Sequence, residues 1–194
     1  MRTLKRFCLS SLFSLTLGLI AQAAPAEPVS PSLYELDLTL TNQAGASRQF
    51  DVYRGHVVLV TMFYGRCPMA CPLLIDTLRA IESSIPEAER SNLRVLMVSI
   101  DPEHDTPDAL AALAKQRRLD SKRWTMARIS KDDVRLLAAA LNVQYRQLPD
   151  GQYNHTSVIS LLGPQGAIEK QTTVLGKPDQ EFVADVSKAL GRGR

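Results

Sequence analysis

Sulfur and imidazole are scarce in this chain, which holds three cysteines and three histidines in 194 residues. The cysteines are not equivalent, because Cys8 falls in an N-terminal stretch patterned like an export signal. Met1-Arg-Thr-Leu-Lys-Arg6 is basic, Phe7 to Ile20 is apolar, and Ala21-Gln22-Ala23 offers a small-x-small cleavage site. The apolar run is short for a membrane span and lacks a strong stop-transfer flank, so a cleavable signal over residues 1–23 is preferred to a membrane anchor. Cys8 sits at the start of the run, whereas a lipid-modified cysteine would follow it. Beyond the signal only Cys67 and Cys71 remain, too few for a four-cysteine zinc centre.

An excess of one charge is missing too. Of 23 basic residues, Arg2, Lys5 and Arg6 lie in the signal, which has no acid, so 20 basic residues face 20 acidic ones in the rest. That balance gives no electrostatic argument for nucleic acid or an anionic membrane as partner. There is no repeat and no low-complexity block. With 45% hydrophobic and 22% charged residues, one globular domain is expected, and nothing demands more than a monomer. Residues 24–32, Ala-Pro-Ala-Glu-Pro-Val-Ser-Pro-Ser, carry three prolines and no periodic apolar pattern, so they read as a flexible tether before a domain over 33–194.

What the domain does have is an alternation of strand-like and helix-like segments. Leu33 to Leu40 and Gln49 to Tyr53, around Asn42-Gln-Ala-Gly45, predict an N-terminal hairpin. Val57 to Phe63 and Leu93 to Ile100 are continuous apolar runs of strand length, the mark of strands covered on both faces. Leu73, Leu74, Leu78, Ile81 and Ile85 recur at helical spacing and Pro86 closes that helix. Thr106-Pro107 starts a helix to about Arg118, and Ser130 caps another over Lys131 to Leu141 after a short strand at Arg123 to Ile129. Ser157 to Leu162 and Ala167 to Thr173 flank Gly163-Pro-Gln-Gly166 as a hairpin, and Pro178 to Leu190 is the closing helix. The pattern predicts an α/β domain, a mixed central sheet with helices on both faces. Such sheets carry sites at the carboxyl ends of their strands, and Cys67, Asp101 and His155 all fall in connections bordering strands, the first two after a strand and His155 before one.

The chemistry concentrates in Thr61-Met-Phe-Tyr-Gly-Arg-Cys-Pro-Met-Ala-Cys-Pro72. A disulfide across so short a loop removes little chain entropy, about 2 kcal/mol, so a structural staple here would be a weak one. An i, i+4 pair in the first turn of a helix puts both side chains on one face with Cα atoms about 6 Å apart, compatible with dithiol and disulfide alike. The helix N-terminus favours thiolate, which is both a nucleophile and a soft metal ligand. Two thiolates and an imidazole suit copper, while zinc would need a fourth protein ligand. His155 and His104 both compete for the imidazole role, and His56, at the start of a strand, stands at the far sheet edge. Asp101 is a candidate to orient an imidazole or tune a thiol, against a plain turn-capping role before Pro102. Met69 offers a thioether between the cysteines.

Gly65-Arg-Cys-Pro-Met-Ala-Cys-Pro72, Val98-Ser-Ile-Asp-Pro-Glu-His-Asp-Thr-Pro107 and Asn154-His-Thr-Ser-Val-Ile-Ser-Leu-Leu-Gly-Pro164 resemble, in order, the motifs of the Sco/SenC family. These are thioredoxin-fold copper chaperones associated with cytochrome c oxidase assembly, and the resemblance runs from about Leu33 to the C-terminal helix. It implies a thioredoxin-like fold, copper thiolates from Cys67 and Cys71, the imidazole from His155, and Asp101 as the acid after the second buried strand. It also settles the competition between histidines, because the family usually has arginine where this chain has His104. Met69-Ala70 and Leu73-Leu74 are less polar than the family pattern, which implies either a partner other than the oxidase subunit or a different balance between copper delivery and thiol reduction. The short segment Gln147 to Asn154 bears on partner choice more than on metal binding.

The expectation is therefore a periplasmic metallochaperone that holds Cu(I) or Cu(II) at Cys67, Cys71 and His155 and passes it to a copper-accepting protein such as an oxidase subunit. The alternative is a thiol-disulfide oxidoreductase that reduces acceptor cysteines, with Cys67 attacking and Cys71 resolving, recharged by a thiol-disulfide reductant. A peroxiredoxin-type peroxidase fits less well, since that family has threonine where this chain has Tyr64.

Overall fold

A computed structural model describes residues 31–67 and 70–192, so the export signal at 1–23, most of the tether at 24–32 and Met69 lie outside the described residues. The chain enters through a 3-10 turn at Leu33–Glu35, where the Ser32 hydroxyl accepts from the Tyr34 N–H. Strands β1 (Thr39–Asn42) and β2 (Ser47–Gln49) follow, and a second 3-10 turn spans Phe50–Tyr53. The expected N-terminal hairpin exists, but its pairing, Thr39↔Gln49 to Thr41↔Ser47, extends into the predicted connection and leaves most of the two predicted strands unpaired with each other. Leu33, Tyr34, Phe50 and Tyr53 are buried, and the Tyr34 and Phe50 rings meet edge-on with centroids 5.3 Å apart. These side chains plug the core as helical-turn residues instead of lining a pleat. Asn42 sets the bend, its Oδ1 accepting from the Ala44 and Ala46 N–H groups at 3.0 Å.

Strand β3 (Val57–Phe63) is buried along its whole length. It leads toward helix α1 (Ala70–Ser84), then strand β4 (Leu93–Ser99), helix α2 (Pro107–Gln116), strand β5 (Trp124–Arg128) and helix α3 (Lys131–Ala140). Thr106 and Ser130 cap α2 and α3 through their hydroxyls, as their positions predict. A small ribbon, β6 (Tyr145–Gln147) with β7 (Tyr153–His155), precedes β8 (Ile159–Leu162), β9 (Ile168–Thr172) and helix α4 (Gln180–Arg192). The sheet order is β2-β1-β5-β4-β3-β8-β9, with β3, β4 and β5 parallel and the outer pairings antiparallel. Its helices lie on both faces, which is why β3 and β8 carry apolar residues at successive positions. Each fully buried leucine or isoleucine there contributes roughly 1.5–3 kcal/mol.

Two details position the site. Phe63 pairs with Ser99, and the Ile100 N–H donates to the Phe63 carbonyl at 2.8 Å, so the segments leaving β3 and β4 start side by side. Glu82 of α1 accepts from Trp124 Nε1 at 2.9 Å and from Arg123 Nε at 2.5 Å, anchoring the helix that begins at the cysteines to β5. The sheet margins are short and charged. All three residues of β2 are exposed, and on β9 Glu169 pairs with Arg192 and Lys170 with Glu181.

Candidate thiol and metal site

The buried run of β3 ends at Phe63, and the chain turns through Tyr64, Gly65 and Arg66 to Cys67. Glycine is needed at 65 because a Cβ there would stand 2.5 Å from Asp105 Oδ1. The Gly65 N–H instead donates to both Asp105 oxygens, at 3.1 and 2.9 Å, and the Ser99 hydroxyl donates to Oδ2 at 2.5 Å. Burial pushes the Asp105 carboxyl up, against the opposing pull of these two donors. Asp105 thus ties the segment after β4 to the cysteine loop.

Cys67 is half-buried and Cys71, in the first turn of α1, is buried; neither forms a disulfide. The Cys71 N–H donates to Cys67 Sγ at 3.3 Å, and the Cys67 N–H donates to the Tyr64 carbonyl at 3.2 Å. Burial drives the Cys71 thiol well above the usual cysteine range, opposed by a hydrogen bond from the Tyr64 main chain and reinforced by the neighbouring Cys67. Cys71 is therefore a protonated thiol at neutral pH.

His155 ends β7, so it lies in a strand of the ribbon and not in the connection before β8 where the sequence put it. The apolar run at 158–162 hid the three-residue pairing Tyr145↔His155, Arg146↔Asn154 and Gln147↔Tyr153. His155 Nδ1 lies 3.1 Å from the Thr156 carbonyl, an acceptor only, so Nδ1 carries the proton and Nε2 keeps its lone pair. Nε2 is buried and has no hydrogen-bond partner. Burial also holds the imidazole below the ordinary histidine range, which keeps it neutral. A neutral ring with one nitrogen fixed by a carbonyl and the other open is the form that binds a metal.

Tyr64 joins these groups. Its ring meets that of His155 at 5.8 Å and that of Tyr153 at 5.5 Å, and burial, reinforced by the nearby Cys67 and Cys71, pushes its phenol up. The phenol also lies 3.3 Å from Gln152 Oε1. Cys67, Cys71 and His155 are thus neighbours of one residue. They do not yet converge, since among the described residues no three His, Cys, Asp or Glu side chains stand close enough to share a metal ion.

Asp101 is buried just beyond β4 and serves a different imidazole from the one of interest. It accepts from His104 Nδ1 at 2.8 Å and from Arg66 Nη2 at 2.9 Å, so it orients His104 and anchors the residue before Cys67. His56 Nδ1 bonds Asn92 Oδ1 at 2.7 Å, at the far end of β3. Sequence reasoning did not single out Tyr64, Arg66, Asp105 or Gln152. The signal for Asp105 was available in its motif, because an acid between a buried strand and a Thr-Pro helix start invites a partner; nothing local announces Tyr64 or Gln152.

A profile of the SCO1/SenC family matches residues 27–191. The SCO1 protein homolog of Bacillus subtilis (strain 168) is 26% identical over 164 residues, 82% of this chain and 84% of that protein. Arabidopsis thaliana ScoI with copper bound gives a TM-score of 0.67 at 21% identity, over 79% of this chain and 96% of that one. BsSco, described as a member of the Sco family of cytochrome c oxidase assembly proteins with a disulfide switch, gives 0.66 at 24% identity, over 84% of this chain and 98% of that one. The thioredoxin-like architecture expected from the motifs is the one these structures share with it. By its motifs, its fold and the extent of the profile match, the chain belongs to the SCO1/SenC family.

Proposed function

We propose that this protein carries copper as cargo, held by the Cys67 and Cys71 thiolates and by Nε2 of His155, and hands it by ligand exchange to an acceptor such as the copper site of a respiratory oxidase. The observation that supports this reading most directly is the buried, unpartnered Nε2 of His155 beside a tyrosine that also contacts both cysteines. Two sulfurs and one neutral imidazole form a donor set suited to copper. The relatives described as copper-bound and as oxidase assembly proteins support the same cargo and destination.

Binding would replace the proton of Cys71 and bring His155 toward the sulfurs, with Tyr64 readjusting because it touches all three. Export through residues 1–23 would put the domain in the periplasm, on the tether of residues 24–32; among the described residues no helix is long and apolar enough to cross a membrane. The test is copper titration of the reduced protein. His155→Ala should lower Cu(II) affinity by about a hundredfold and alter the thiolate-to-copper absorption; an unchanged affinity and spectrum would remove His155 from the site.

The second reading, a thiol-disulfide oxidoreductase, is favoured by one feature: Cys67 is the more exposed sulfur and accepts the Cys71 N–H, while Cys71 is a buried thiol suited to resolving. Each cycle would transfer two electrons and two protons from the dithiol to an acceptor disulfide, with an external dithiol closing the cycle. If Cys67→Ser leaves the exchange rate of the metal-free protein with a small disulfide unchanged, this reading falls.

A further inference from the structure

At the sheet edge opposite the cysteines, where β3, β4 and β5 begin, a cleft of about 230 Å³ is lined by Arg48, Arg94, Lys122, His56 and Tyr53 among others, and by no carboxylate. Arg94 is held by main chain instead of an acid: its Nη1 donates to the Ser91 and Leu93 carbonyls at 2.8 and 2.9 Å. Arg48 Nη1 donates likewise to the Ser47 carbonyl at 3.1 Å. Among the described residues neither arginine nor Lys122 has an ion-pair partner; Asp51 pairs with Arg54, and Asp120 pairs with Arg123 while accepting the Lys122 N–H at 3.0 Å.

We propose that this cleft binds a phosphate group. Guanidinium groups fixed by carbonyls keep free N–H donors in a planar fork that matches phosphate oxygens, and Lys122 adds a point charge. Carbonyls neutralise no charge, so three cations around one concavity leave a positive potential that only an anion can relieve. The near-neutral composition conceals this, because charge balance over the chain says nothing about its distribution. The ligand is either free phosphate or the phosphate of an anionic lipid headgroup. The inference is independent of the copper reading, since the cleft and the cysteines lie at opposite ends of β3.

The experiment uses the full exported protein at low ionic strength. Inorganic phosphate is titrated by calorimetry and by 31P NMR against matched chloride, and flotation with phosphatidylglycerol vesicles is compared with phosphatidylcholine vesicles. Arg94→Gln should weaken binding about tenfold and Lys122→Gln about threefold, with copper affinity unchanged. Lys122 is exposed, so its variant keeps the test valid should Arg94→Gln not fold. Phosphate binding weakened in this way by the variants identifies free phosphate; anionic-vesicle flotation weakened in this way identifies the headgroup. Absence of both interactions, or binding that both variants retain in full, overturns the proposal.

Discussion

The imidazole of His155 meets the ring of Tyr64 edge-on, with centroids 5.8 Å apart and planes 76° from each other. The contact holds a histidine whose outer nitrogen is buried without a hydrogen-bond partner, through a residue that also lies beside Cys67. Separating ring from hydroxyl tests what each contributes. Tyr64→Phe should keep the fold and change copper affinity by less than about threefold, while shifting the thiolate-to-copper absorption. Tyr64→Ala should destabilise the protein by about 3–5 kcal/mol in chemical denaturation. Identical spectra for wild type and Tyr64→Phe would show that the phenol does not act on the ligating sulfur.

The buried neutral His155 predicts an acid-sensitive fold. Its folded pKa lies below the ordinary value of 6.5, so the unfolded chain binds the extra proton first and stability is full above that value. Stability is then lost as pH falls through the folded pKa. His155→Gln should flatten this part of a denaturation series taken from pH 7 to pH 5, and an equally steep series would show that another group is responsible.

Because Cys71 is a thiol at neutral pH, copper must displace its proton. Calorimetry in buffers of different ionisation enthalpy should give at least one proton released per copper, and affinity should rise about tenfold per pH unit for each proton displaced. Proton-neutral binding at pH 7 would mean that Cys71 is not a ligand.

Gly65 and Asp105 make a prediction about folding. Gly65→Ala should cost about 1–3 kcal/mol, since the added Cβ meets Asp105. Asp105→Ala should cost at least as much by orphaning the Gly65 N–H and the Ser99 hydroxyl. Thermal denaturation of both variants checks this, and a neutral Asp105→Ala would deny the tie between the two loops.

The architecture was legible wherever burial alone decides the pattern. β3 and β4 announce themselves as apolar runs, and Thr106, Ser130 and Pro86 mark helix limits by capping and by ring sterics. The N-terminal turns misled because Leu33, Tyr34, Phe50 and Tyr53 are apolar for packing while their backbone coils. The ribbon of β6 and β7 was invisible because two strands of three residues carry no periodicity. Within the site, the cysteines are adjacent in sequence and readable by spacing. Tyr64, Asp105 and Gln152 act through contacts between distant segments, and such contacts leave no local trace.

The short, charged margins of the sheet have a consequence for a molecule whose two cysteines form no disulfide. β2 offers only three residues as a template for strand addition, and β9 is occupied by ion pairs to α4. Copies that collide in a crowded compartment therefore have little main chain along which to zip together. Encounters stay brief, and sulfur is less readily carried into accidental cross-links between like molecules.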